Sequence, residues 1–126
     1  MKTTKEFTEK LDKEIEELGG DIGEIIRYLA DHKFVLEEQI MDTKKEAKYR
    51  VDKYERELWD ELNKKKSGLG EMDKDTCYAI YQLELEIGRN VESMMATEGV
   101  RLAELNKTRD DNIVVLCDML EYYENL

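Results

Sequence analysis

The sequence predicts an all-α fold: an extended antiparallel helical hairpin with a short N-terminal helix packed back on it, dimerising into a larger bundle. Three observations carry this. The 126 residues contain no proline, 40% of them are charged, and apolar residues recur every eleven positions. Proline is the strongest helix breaker and charge covers the solvent faces of helices, so this composition belongs to long exposed helices and leaves little room for catalytic loops. The length fits a single domain, 1–126.

The first element is a helix over 3–18. Thr3 and Glu6 have the spacing of a capping box, and Phe7, Leu11, Ile15 and Leu18 form the apolar stripe. Gly19, Gly20 and Gly23 would together cost roughly 2 to 3 kcal/mol inside a helix, which predicts a break there and a fold-back of the first helix on the second. A competing pattern is that Phe7, Leu18 and Leu29 lie eleven apart, as they would in one unbroken helix.

A fresh cap at Asp21 with Glu24 opens a long helix over 21–66. Leu29, Ile40, Val51 and Leu62 repeat every eleven residues, as do Leu36, Ala47 and Leu58. Eleven residues in three turns is about 3.67 per turn, close to the natural pitch, so helices with this period pair nearly straight. Lys64, Lys65 and Lys66 suit a helix C-terminus, and Gly68 and Gly70 are read as left-handed cap positions.

The third element is a helix over 73–124, with Asp73 as N-cap and Met72 stapled to Cys77. Its series are Ile80, Val91, Leu102 and Ile113, and Leu83, Met94, Leu105 and Leu116. The repeat passes Thr108 to Asp111 without a phase change, so the helix is expected to be continuous. A reversal near Leu69 then sets Leu62 against Cys77, Leu58 near Ile80, Val51 near Gly88, Ile40 near Glu98 and Leu29 near Arg109. Gly88 and Gly99, also eleven apart, are expected to let the helices approach closely.

The net charge of −11 is unevenly spread: residues 1–40 carry 6 basic and 11 acidic side chains, 41–66 carry 9 and 7, and 67–126 carry 5 and 13. Free nucleic acid is a poor match for such a chain, because its binding requires cations that replace phosphate counterions. A protein with a basic surface is the better partner. The run Lys44, Lys45, Lys48, Arg50, Lys53 and Arg56, with Tyr49 and Tyr54, is interleaved with acids at helical spacing and reads as a salt-bridged solvated face.

Catalytic chemistry finds no purchase, and no cofactor or metal is expected. His32 is the only histidine and lies at the seam edge between Leu29 and Leu36, while the Glu-x-x-His element of di-iron bundles is missing because residue 29 is Leu. The pairs Glu6 and Glu9, Glu14 and Glu17, and Glu57 and Asp60 resemble magnesium-binding carboxylates of all-helical nucleotide pyrophosphatases in spacing only. Glu14, Glu17, Asp21 and Glu24 flank the apolar stripe and face water, so they do not converge on an ion. No phosphate-cradling loop, nucleophile elbow or Cys-x-x-Cys is present.

Cys77 and Cys117 would stand about 60 Å apart on one continuous helix, which excludes a disulfide between them. With no membrane-length apolar run, signal peptide or lipidation motif, a cytoplasmic setting is expected. The glycosylation sequon at Asn106 is read as accidental.

Two surfaces remain as candidate sites. Near the bend, Tyr78, Tyr81 and Leu85 join Ile80, Leu83 and Ile87 around most of the third helix, with Trp59 opposite, and this cluster is expected to be a dimer seam or partner contact. Glu14, Glu17, Asp21 and Glu24 form an acidic ridge with carboxylates about 5 to 6 Å apart, suited to a basic partner. In charge and size alone the chain is similar to small acidic phage proteins that inhibit host nucleases, anti-CRISPR proteins among them. A non-enzymatic regulatory or inhibitory protein-binding role is therefore expected, with a structural coiled-coil scaffold, spacer or assembly adaptor as the alternative.

Overall fold

Apolar stripes at helical spacing must find partners, and the computed structural model, which describes residues 4–126, shows how they do so. The chain forms three helices, α1 (Thr4–Glu17), α2 (Ile22–Ser67) and α3 (Lys74–Glu124), and no strand occurs among the described residues. The two long helices α2 and α3 pack together. Thr3, the proposed cap of α1, lies outside the described residues.

The chain does break at the glycines. α1 ends in tight-turn bonds from Leu18 N–H to the Ile15 carbonyl and from Gly19 N–H to Glu16, after which Gly19 and Gly20 take φ of 69° and 85°. An L side chain is strained in that left-handed region, so glycine is needed there for conformation, not for space. Asp21 then starts α2, its Oδ1 accepting the Glu24 N–H at 3.2 Å.

The other end of α2 departs from expectation. Gly68 and Gly70 do not adopt positive φ. Gly68 N–H instead donates to the Lys64 and Lys65 carbonyls, and Leu69 N–H to Lys66, so the last turn tightens and closes without a left-handed cap. Asp73 caps α3 as expected, accepting the Thr76 N–H at 2.7 Å. That bond holds its carboxyl below the usual range. Met72 and Cys77, the residues expected to staple this end, are both exposed.

Two compact units can be distinguished by their contacts, one made of the described residues up to Thr43 with Ala103–Leu126, the other of Lys44–Leu102. In the first, α1 contributes Phe7, Leu11 and Ile15 to a core shared with Ile25 and Leu29 of α2 and Leu116 of α3. Leu18, Leu36, Val115 and Tyr123 are among the partly buried residues around it. His32 sits edge-on to Tyr28 and Phe7, with ring centroids 4.9 and 6.3 Å away, in the packing role expected of it.

The second unit has only two helices and a thinner core, Leu62 with Ile87 and Val91, supported by Val51, Leu58 and Trp59. Here the pairing register differs from the reflection about Leu69. Glu98 meets Arg50 instead of Ile40, and Lys66 meets Glu84. In the first unit Asn106 meets Thr43. Each contact falls about one eleven-residue repeat away from its expected place, a slip to which a strictly periodic apolar pattern is blind.

The series on α3 also fail to stay inside. Leu83 and Leu105 are exposed, whereas the polar Glu98, Asn106 and Asn112 are buried. Gly88 and Gly99 adjoin no neighbour, since a Cβ at either would meet nothing within 4 Å. The close approach expected at these glycines is therefore absent.

Candidate functional site

A buried polar group is costly unless hydrogen-bonded. Glu98 and Asn106 are bonded through two contacts between α2 and α3, whereas Asn112 Oδ1 and the Tyr28 hydroxyl have no partner among the described residues. Arg50 donates from Nε to Glu98 Oε1 at 3.0 Å and from Nη2 to Oε2 at 2.9 Å, a bidentate fork. The guanidinium lowers the Glu98 pKa through these bonds, against desolvation, and Arg101 stands 3.7 Å from the same carboxylate. In the other unit Arg109 donates to Asn106 Oδ1, Asn106 Nδ2 to Thr43 Oγ1, and Thr43 to the Ile40 carbonyl. Asn106 is only 3% exposed, so no glycan could be carried there, in keeping with an accidental sequon.

Sequence reasoning set Glu98 opposite Ile40 and read Asn106 only as part of a sequon, and gave neither a polar contact between the helices. The available signal was spacing: Glu98 continues Ile87, Val91 and Met94 at alternating steps of four and three, the rhythm of one helix face.

Of the proposed hydrophobic contact, Tyr78, Tyr81 and Leu85 are exposed on the first turns of α3, along with Leu69 and Met72 before it. Trp59 is not with them. It is half-buried against Leu62, Ile87 and Val91, and so belongs to the core of its unit.

The acidic ridge is divided by the glycine break. Glu14 lies 4.0 Å from Lys10, Glu17 is exposed at the end of α1, and Asp21 is engaged as the α2 cap. Of these four, the carboxylates of Glu17 and Glu24 are exposed and have no hydrogen-bond or ion-pair partner among the described residues.

The basic run behaves differently from expectation. Arg50 pairs across to α3, and among the described residues Lys44, Lys45, Lys48, Lys53 and Arg56 have no ion-pair partner within 4.0 Å. Intrahelical pairs join Lys10 to Glu14, Lys33 to Glu37, Lys65 to Glu61 and Arg101 to Glu98 among the described residues.

No group of three or more His, Cys, Asp or Glu side chains among the described residues is placed to hold a metal ion. Cys77 and Cys117 are free thiols, both exposed. No helix of the described residues is long and apolar enough to cross a membrane. Comparison with protein-family models finds no match, and comparison with curated proteins and with solved structures finds none either.

Proposed function

We propose that this chain is a non-enzymatic protein-binding protein of regulatory or inhibitory type, whose acidic surface docks on a basic partner. The observation that supports this reading most is the uncompensated negative charge. Among the described residues, the exposed carboxylates of Glu17, Glu24, Glu92, Glu104, Asp110, Asp111 and Asp118 have no cation within 4.0 Å. An uncompensated field of this kind steers a cationic surface toward it and speeds encounter. It also repels free nucleic acid, whose place on a cationic groove such a protein would take. The exposed patch of Tyr78, Tyr81 and Leu85 supplies apolar contact that charge alone lacks.

The test is capture of partners from a lysate at low and moderate ionic strength, with wild type beside a Glu17→Lys, Glu24→Lys, Asp111→Lys variant. A basic protein recovered at low salt, released at moderate salt and lost with the variant is the expected result. Recovery indifferent to both salt and charge reversal would refute the reading.

The lengths of α2 and α3, 46 and 51 residues against an average of about 11 to 12 for globular helices, favour a second reading as a scaffold or spacer. Deleting one eleven-residue repeat from each long helix while keeping the exposed acids separates the two, because only a spacer depends on length.

A further inference from the structure

In the unit Lys44–Leu102 the α2 and α3 pair carries no third helix, and one side of it is an apolar groove. Its floor includes Val51, Val91 and Met95, and its α2 rim carries, in chain order, Lys44, Lys48, Asp52 and Glu55. Their spacing of four, four and three residues places all four on one face. None has an ion-pair partner among the described residues, although Lys48 and Asp52 are four apart on the same helix.

We infer that this groove is the seat of a second copy of the chain, packed groove on groove with its helices antiparallel. The order cation, cation, anion, anion is self-complementary under an antiparallel two-fold. Lys48 then faces Asp52 of the other copy, Lys44 faces Glu55, and each contact occurs twice, as an isologous interface requires.

A separate feature of α3 calls for the same axis. Met95 is exposed in the groove and Gly99 beside it has no atom near where a Cβ would be. A two-fold between them inserts Met95 of one copy over Gly99 of the other, a side chain filling a gap. The α2 charges are arranged symmetrically about Arg50, and Met95 and Gly99 about a point next to Glu98. The Arg50–Glu98 fork holds those two residues at one level, so a single axis serves both helices. Parallel packing would set lysine on lysine and acid on acid, which opposes association. This interface is independent of the acidic docking proposed above and uses none of its carboxylates.

Light scattering and sedimentation equilibrium on the full chain test it. Wild type is expected to be a concentration-dependent dimer. Two variants, Lys44→Glu with Lys48→Glu and Asp52→Lys with Glu55→Lys, should each raise the dimer dissociation constant about tenfold or more. Mixed one to one they should form a heterodimer at least as tight as wild type, and the fourfold reversal on one chain should restore the homodimer. Gly99→Leu should weaken the dimer by a similar factor while circular dichroism shows helicity retained. A monomer at every concentration, a dimer insensitive to these reversals but lost with Tyr78 and Tyr81, or two single-sign variants that do not associate on mixing would each overturn it.

Discussion

A buried carboxylate forked by an arginine and a buried amide bonded to a threonine specify what a stripe of leucines cannot. An apolar face slides past another at little cost per step, whereas moving Glu98 away from Arg50 leaves a buried carboxylate unpaired. The depressed pKa of Glu98, held down chiefly by its bonds to Arg50, ties this role to pH. A carboxylate lowered in the folded state contributes stability above its unfolded range and loses it as pH falls through the lowered value. Asp73, lowered by the Thr76 N–H, acts in the same direction. Glu98→Gln should therefore lower the thermal midpoint at neutral pH, and the gap from wild type should close as the solution is acidified below the carboxylate range. Two melting curves that stay parallel down to the acid limb would show that the fork does not contribute.

At the scale of elements, the buried set decides which leucines matter. Leu105 and Leu116 belong to one expected series, yet Leu116 is 0% exposed and Leu105 is 43% exposed. Leu116→Ala should cost about 2 to 5 kcal/mol by denaturant unfolding, as emptied core sites do, and Leu105→Ala well under half of that. Equal losses would mean that the face assigned to α3 is wrong. The helices themselves were legible: absent proline, stripes at 3.6 spacing, and the capping acids Asp21 and Asp73 mark elements by local chemistry that the sequence displays. Register was not legible, because an eleven-residue apolar repeat matches itself after every slip of eleven. The contacts that break that degeneracy are polar pairs between residues far apart in the chain, as with Thr43 and Asn106. The α1 fold-back was readable in part, since three glycines argued for a break. Gly88 and Gly99 misled because a small residue marks close approach only where a neighbour is present.

For the molecule as a whole, a net charge of −11 on 126 residues opposes compaction, while the ion pairs that offset it are few and mostly exposed. Exposed pairs contribute about 0 to 1 kcal/mol each, and repulsion among many uncompensated carboxylates outweighs them. Salt shortens the screening length from about 30 Å at 0.01 M to about 10 Å at 0.1 M, which weakens long-range repulsion more than the contact pairs. The thermal midpoint of the dilute chain should therefore rise with sodium chloride over that range, while affinity for a basic partner falls. Opposite slopes follow from one charge distribution, since like charges meet within the chain and unlike charges meet across the proposed interface. Chloride is the right anion for the measurement, because sulfate strengthens apolar burial independently and would raise the midpoint for another reason. A midpoint that falls with added chloride would mean that local pairs, with the Arg50–Glu98 fork foremost, dominate the electrostatics of folding. The uncompensated acids would then be too dispersed to act as a field, and the acidic-docking reading would lose its physical basis.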